Sequence, residues 1–173
     1  VRAEEPYAAR LEADATKRDA MGVYRDDSIE LLLAWNDRDG VFLHLIVNPL
    51  GTQFDERGRP GFSNDRTWNG KWSSAASRNE KGWSLEVAIP YATLDETAKP
   101  EGIWTINVCR NRRAGGMREY SSWSPAKASF TDPESFGLLV FGDALESLRQ
   151  KALANIARFV SDSSSWPTSV LAN

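Results

Sequence analysis

Aromatic residues beside turn residues are the feature of this sequence most suited to ligand binding. The chain has seven tryptophans, and segments 68–72 and 121–125 place three of them next to asparagine, glycine, lysine, serine or proline. A pyranose ring has two C–H faces and polar edges, so an indole or phenol can stack on a face while amides and carboxylates bind the hydroxyls. The pattern predicts carbohydrate recognition, while core packing with a bonded indole N–H stays open for each tryptophan.

The remaining reactive side chains do not form a recognisable catalytic set. His44 is the only histidine and lies in an apolar stretch, which favours a structural histidine with bonded ring nitrogens. Cys109 is the only cysteine, so the ligands for a zinc site are too few. Carboxylate pairs can hydrolyse glycosidic bonds, but sequence spacing does not place two of them across one bond. We therefore predict a protein that is not an enzyme.

Carboxylates in predicted loops suit calcium, which binds oxygen ligands. Asp26 and Asp27 are the first choice for such a site. Solvated turn carboxylates are the alternative interpretation, and it also applies to Asp37, Asp39 and Asp132.

Composition and charge exclude two classes of partner. The 24 acidic and 21 basic residues are interspersed and give a net charge of −3, without the basic stripe of a nucleic-acid-binding protein. No apolar run approaches the about 20 residues that span a membrane. A chain of 173 residues suits one domain with a substantial core.

Two-residue alternation of apolar side chains predicts a mostly β structure. Trp83, Leu85, Val87 and Ile89 give the clearest example. Similar alternation occurs at 29–35 and 104–109, and turn-forming segments separate the strands. A nearly continuous apolar run at 41–47 fits a central strand, and 70–77 and 136–141 are further candidate strands. We predict an all-β fold, an antiparallel β-sandwich of jelly-roll or immunoglobulin-like type, over residues 1–142.

The last part of the chain has a different period. Leucines 145 and 148 begin an apolar repeat at helical spacing, which predicts an amphipathic C-terminal α-helix over 143–160. This apolar face would pack on the sandwich, on another domain or on another chain. A serine-rich stretch then predicts a flexible tail over 161–173.

Six sequence blocks together resemble the family 9 carbohydrate-binding modules and their wider group of bacterial relatives. The blocks are 24–30, 48–51, 68–72, 82–90, 107–112 and 136–138, and the resemblance spans about residues 1–141. It implies a β-sandwich with a binding slot, calcium-supported loops and attachment to a secreted polysaccharide-degrading enzyme, and hence an extracellular or periplasmic location. Family members begin with further strands upstream of 1–6, so we expect the first strands to be absent here or supplied by a partner.

Carried over by position, the resemblance implies a slot in which two aromatic rings clamp a sugar beside a carboxylate. Tyr24 would be the first ring, in place of the expected tryptophan, and Trp123 the second. Glu30 would be the carboxylate, and strand alternation independently places it away from the apolar neighbours Ile29 and Leu31.

The segment that follows Trp104 adds further candidates. Asn107 and Arg110 are assigned to the same carbohydrate site. The neighbouring residues Asn111, Arg112 and Arg113 could bind sugar hydroxyls or an anionic sugar. A charged strand end before a glycine turn is the alternative.

Two functions follow from these features. The first is a noncatalytic carbohydrate-binding module that tethers a larger extracellular protein to a glycan. The alternative is a structural or assembly module of the same fold that contacts another domain or chain and binds no sugar. Titration with oligosaccharides separates the two.

Overall fold

A computed structural model describes residues 1–35, 40–94, 98–127, 129–146, 148–150 and 152–154. It confirms an antiparallel β-sandwich with a short C-terminal helix. The strands are β1 (Arg2–Glu4), β2 (Ser28–Ala34), β3 (Phe42–Val47), β4 (Gln53–Gly58), β5 (Ser73–Asn79), β6 (Gly82–Ala88), β7 (Ile103–Arg112), β8 (Glu119–Ser122) and β9 (Gly137–Val140). A single helical turn, α1, spans Tyr91–Leu94, and 3₁₀ turns span Ala8–Arg10, Val23–Arg25, Ala114–Gly116 and Pro133–Ser135.

The strands form two sheets. The smaller sheet has the order β1-β6-β5, and the larger has the order β4-β3-β2-β7-β8, with β9 also paired to β7. Gly82 makes the β5–β6 turn at φ 137°, and a Cβ there would lie 2.1 Å from the carbonyl oxygen of Ala3. Only glycine therefore allows β1 to pair this closely with β6.

The chain divides into two units. The first unit comprises residues 1–99 and 104–139 and contains the strands except Ile103 of β7 and Val140 of β9, and the second comprises 100–103 and 140–173. Within the second unit, residues 144–146, 148–150 and 152–154 are helical, and Phe141 N–H donates to the carbonyl oxygen of Gly102 at 3.0 Å. The end of the predicted helix, 155–160, and the predicted tail, 161–173, lie outside the described residues. The domain boundaries of the sequence analysis stay a prediction.

Cross-strand register assigns the residues of the larger sheet to two faces. Gln53 and Arg110 share a face with Ile29, and they bond to the smaller sheet through the Ser74 hydroxyl and the Glu4 carbonyl oxygen, each at 2.9 Å. We call this the inner face, because it lies towards the other sheet. Side chains alternate along a strand, so the neighbours of these residues form the outer face.

The outer face combines polar residues with two apolar clusters. Glu30 and Asn111 lie on it, because Glu30 is opposite Cys109 and Asn111 is opposite Ser28. One apolar cluster contains Val23, Ile46 and Phe54, with Ala15 and Tyr24 packed against it. The other contains Leu32, Ala34, Phe42, Cys109 and Phe136, with Phe130 packed against it. The segments that include Tyr24 and Phe130 therefore cover parts of the outer face and leave a space between them.

The sequence pattern predicts β2, β3, β5, β6, β7 and β9, and the structure confirms all six. It does not predict β4 or β8. In β4, Asp55 and Glu56 are both buried although they are acidic, so no apolar alternation marks the strand. β8 has four residues, which is too short for a period to show.

Candidate functional site

A cavity of about 520 Å³ opens on the outer face. Glu30 and Asn111, from the adjacent strands β2 and β7, are its most buried polar residues. Tyr24, Tyr120 and Phe130 contribute aromatic rings to its wall. Rings around a few fixed polar groups are the usual composition of a small-molecule site of this size.

The polar part of the cavity is held in place by hydrogen bonds. Asn111 Nδ2 donates to Glu30 Oε1 at 2.5 Å and to the Ser28 hydroxyl at 2.9 Å. His44 Nε2 lies 2.7 Å from Glu30 Oε2, and His44 Nδ1 lies 2.8 Å from Glu56 Oε1. Both ring nitrogens of His44 are bonded, as the sequence analysis expected of a structural histidine. Its two glutamate partners come from different strands, so sequence spacing could not identify them.

Two carboxylates determine the charge of His44. Burial by itself would lower the pKa of His44, but the hydrogen bonds and negative charges of Glu30 and Glu56 outweigh it and raise the pKa to about 9. The imidazole is therefore protonated at neutral pH. Burial tends to raise the pKa of Glu56, but the bonds from His44, Asn64 and Arg66 result in a net lowering.

The aromatic pair that the sequence analysis proposed is not brought together. Tyr24 is half-buried and lines the outer-face cavity, but Trp123 lines a different one, together with residues 1–4 and Arg110. Tyr120 is opposite Asn111 and so lies on the outer face, whereas Trp123 follows Ser122 and alternates to the other face. The expectation that Tyr24 and Trp123 face each other across one slot is therefore corrected.

Trp123 has a distinct local role. Its ring lies over Gly137, where a Cβ would be 2.3 Å from the indole, while 62% of the residue is exposed. The rings at the outer-face cavity are instead Tyr120 and Phe130, whose centroids are 6.3 Å apart at 66°. Finding these rings from the sequence would require the β7–β8 register, and β8 is too short to reveal it.

Arg110 and Asn107 lie outside the cavity, and both make structural bonds. Arg110 lies on the inner face, where Nη1 donates to the Glu4 carbonyl oxygen and Nη2 to Glu5 Oε2, each at 2.9 Å. Asn107 bonds both the N–H and the carbonyl oxygen of Ser124, at 2.9 and 3.0 Å. Each side chain thus holds a neighbouring segment and neither lines the outer-face cavity, and a role of Asn107 or Arg110 in carbohydrate binding stays a prediction.

The carboxylates of Asp26 and Asp27 hold backbone and side-chain N–H groups of neighbouring segments. Asp26 accepts hydrogen bonds from the backbone N–H groups of Asp14 and Ala15 and from Asn48 Nδ2. Asp27 accepts from the N–H groups of Glu12 and Arg113 at 2.8 and 3.0 Å. All four carboxylate oxygens thus face N–H donors, which repel a cation. Among the described residues, no group of three or more acidic, histidine or cysteine side chains is arranged to hold a metal ion, and calcium binding by this protein stays a prediction.

The tryptophans of 68–72 serve the fold. Trp72 is buried, and its Nε1 donates to Asp55 Oδ2 at 2.7 Å. Trp68 lies against Gly70 and 5.2 Å from the guanidinium of Arg57. For Trp72 the core-packing interpretation is the correct one.

Arg113 lines the cavity, and the sequence predicted it, together with Asn111 and Arg112, as a candidate partner of sugar hydroxyls or an anionic sugar. It is 7% exposed, its guanidinium lies 4.7 Å from the Tyr120 ring centroid, and Nη2 donates to the Tyr120 hydroxyl at 2.9 Å. Nε donates to the carbonyl oxygen of Arg25 at 3.3 Å. Nη1 is buried and has no hydrogen-bond partner within the described part of the chain.

Comparison with known proteins supports the fold. No family model matches the sequence, and no curated protein matches it. The chain is similar to the crystal structure of a "putative carbohydrate-binding protein" from Bacteroides uniformis, with a TM-score of 0.64 and 18% identity over 76% of this chain and 68% of that one. At this identity the likeness shows a shared β-sandwich fold. It supports a fold like that of carbohydrate-binding proteins without showing membership of family 9. No helix within the described residues has the length and apolar character to cross a membrane.

Proposed function

We propose that this protein is a noncatalytic carbohydrate-binding module and that its site is the outer-face cavity. The observation that carries the proposal is the arrangement of three aromatic rings, Tyr24, Tyr120 and Phe130, around the buried Glu30–Asn111 pair in one cavity. Aromatic faces suit the C–H faces of a sugar, and a fixed carboxylate suits its hydroxyls.

Glu30 is suited to orient a sugar. Each of its carboxylate oxygens accepts one internal bond, from Asn111 or His44, and each retains a further lone pair. Because both internal partners fix the carboxylate in one position, little freedom is lost when a hydroxyl donates to it. Bonds of this kind to a charged acceptor are stronger than neutral ones.

The aromatic rings supply the larger part of the affinity. If a ring covers about 100 Å² of apolar sugar surface at about 25 cal/mol/Å², it contributes about 2 to 3 kcal/mol. Two rings and a few hydrogen bonds, less the cost of association, correspond to dissociation constants from about micromolar to millimolar. Such affinities suit a tether, which gains strength when several modules bind one polysaccharide.

The proposal extends to the biological setting that the family 9 resemblance implies. The module would attach a larger secreted, extracellular or periplasmic bacterial protein to a polysaccharide. The similar protein from Bacteroides uniformis, named for carbohydrate binding, supports this role through its shared fold. The domain itself would release no reducing sugar from a glycan that it binds.

Calorimetric titration with a panel of oligosaccharides tests the proposal. We expect saturable binding that Tyr24→Ala weakens by about 30-fold, since about 2 kcal/mol of stacking is lost. Trp123→Ala is the matched aromatic control and should change the affinity by less than about twofold, because Trp123 lines another cavity. Absence of saturable binding to every glycan would overturn the proposal and favour the assembly role, for which exposed Trp123 offers an anchor.

A further inference from the structure

We infer that the carbohydrate bound in the outer-face cavity carries an anionic substituent, a carboxylate or a sulfate, that pairs with Arg113. This inference rests on the proposed function and specifies its ligand class as acidic glycans.

Arg113 is a buried cation without an anionic partner. Its acceptors are the carbonyl oxygen of Arg25 and the hydroxyl of Tyr120, both uncharged. It forms no ion pair with any described residue, and Nη1 has no acceptor there. Burying a charge that is neither paired nor solvated is costly. Because Arg113 lines the outer-face cavity, an oxyanion of a ligand bound there would supply the missing negative charge.

Three other arginines of the sandwich are paired with carboxylates. Arg110 and Arg112 share the carboxylate of Glu5, with N–O distances of 2.9 and 2.7 Å. Arg18 is paired with the buried carboxylate of Asp55. Their side chains are 16 to 38% exposed, whereas Arg113 as a residue is only 7% exposed. The most buried of these four arginines is thus the one without a carboxylate.

The acidic residue of the cavity does not compensate Arg113, because its charge is already matched. Glu30 and Glu56 carry two negative charges, and the protonated His44 between them and Arg66 beside Glu56 carry two positive ones. This group sums to zero. Glu30 can therefore bind a hydroxyl without repelling an anion as strongly as a free carboxylate would.

The rim of the cavity adds to the positive charge. Arg25 and Arg118 are exposed cavity residues, against the single exposed acid Glu12. Counted with Arg113, three cations face one uncompensated carboxylate. A local excess of positive charge raises the rate and the selectivity with which anionic ligands arrive.

Aromatic rings favour a sugar acid over a free inorganic anion. The Tyr120 ring lies over the guanidinium of Arg113, and the Phe130 ring lies beside the Tyr120 ring. An anion that approaches Arg113 therefore lies next to two aromatic rings. A sugar with an oxyanion substituent satisfies both features, because its ring stacks while its charged group pairs. Inorganic sulfate would use only the second feature and should bind more weakly.

A set of matched oligosaccharides tests the inference on the wild-type protein. Each uronic acid oligosaccharide is titrated beside its methyl ester, which has nearly the same shape without the charge, and beside the neutral sugar. Sulfated oligosaccharides and inorganic sulfate form two further arms, which identify the source of the oxyanion. We expect an acidic form to bind about 10- to 100-fold more tightly than its uncharged counterpart, as for a hydrogen bond to a charged group.

Variants then locate the effect. Arg113→Gln should lower affinity for the acidic form by the same about 10- to 100-fold and leave affinity for the uncharged form within about threefold. Arg113→Lys should restore part of the preference, because it keeps the charge without the planar fork. Arg78→Gln, on strand β5 of the smaller sheet, removes one exposed positive charge elsewhere and should have little effect.

The outcomes separate this inference from the proposed function. Equal binding of acid and ester by the wild-type protein, or an equal loss in Arg113→Gln and Arg78→Gln, overturns the acidic ligand class and leaves carbohydrate binding intact. Failure of every sugar, charged or neutral, overturns the proposed function as well. The ester comparison decides the question even if a variant of Arg113 does not fold.

Discussion

The inner and outer faces of the larger sheet both bury charged side chains, but they pair them differently. On the inner face Glu5 accepts from Arg110 and Arg112, and its exposure is 2%. On the outer face Glu30 is paired through His44, while Arg113 has only uncharged acceptors. Of these charged residues, Glu5, Arg110, Arg112 and Glu30 have charged partners within the chain, and Arg113, which has none, lies in the wall of a cavity.

This difference separates structural polar residues from residues available to a ligand. Arg110 and Asn107 look suited to sugar binding by residue type, yet their bonds hold Glu4, Glu5 and Ser124. Incomplete pairing in a cavity is therefore a better indicator of a site than residue type alone.

The largest effect is expected on the inner face. Glu5→Gln removes the negative charge shared by Arg110 and Arg112 and should lower the free energy of unfolding by about 3 to 5 kcal/mol, the cost of breaking a buried ion pair. Arg113→Gln should cost less, about 1 to 2 kcal/mol, because it removes hydrogen bonds to uncharged acceptors but no ion pair. Urea denaturation of both variants measures the difference. Equal losses in the free energy of unfolding would show that Arg113 contributes as much to stability as Glu5.

The acidic pair predicted to bind calcium should behave as a structural element. Asp26→Ala leaves the N–H groups of Asp14 and Ala15 and the amide of Asn48 without their acceptor and should cost about 3 kcal/mol. The loss in melting temperature should be the same with excess calcium and with a chelator. If calcium stabilises the native protein but not this variant, the hydrogen-bond account of Asp26 is wrong.

His44 should make stability depend on pH. Its pKa is raised above the unfolded value of 6.5 to about 9, so its contribution is complete below pH 6.5 and is lost as the pH rises through 9. The free energy of unfolding should therefore fall by about 2 kcal/mol between pH 7 and pH 9. The pKa of Glu56 is lowered in the folded protein, so its contribution to stability is lost at acid pH, as the pH falls below about 4.5. His44→Gln should flatten the alkaline part of this stability profile. An unchanged profile would show that protonated His44 does not stabilise the fold through Glu30 and Glu56.

Much of the fold could be predicted from the sequence, because its main strands show regular apolar alternation. β6 is the clearest case: Trp83 and Leu85 are buried, with Glu86 exposed between Leu85 and the half-buried Val87. β4 could not be predicted, since Asp55 and Glu56 are buried there through bonds to residues distant in sequence. Charged residues carry no sign of burial until their partners are known.

The candidate site was predictable only in part, for a related reason. The family 9 resemblance placed Tyr24 and Glu30 at one site, and strand alternation independently placed Glu30 away from its apolar neighbours; both residues line the outer-face cavity. Predicting Tyr120 as a ring of this cavity required the register of β8 against β7, and alternation over four residues does not determine that register. Tyr120 therefore occupies the place that the sequence analysis gave to Trp123. The binding role of Tyr24 and Glu30 stays a prediction.

Chemical-shift mapping with the tightest-binding oligosaccharide tests the central claim most directly. Spectra of the ¹⁵N-labelled protein should show the largest changes at the amides of Tyr24, Asn111, Arg113 and Tyr120, while the Trp123 indole signal stays in place. Largest changes at Trp123 and residues 1–4, which line the other cavity, would contradict the assignment of binding to the outer face.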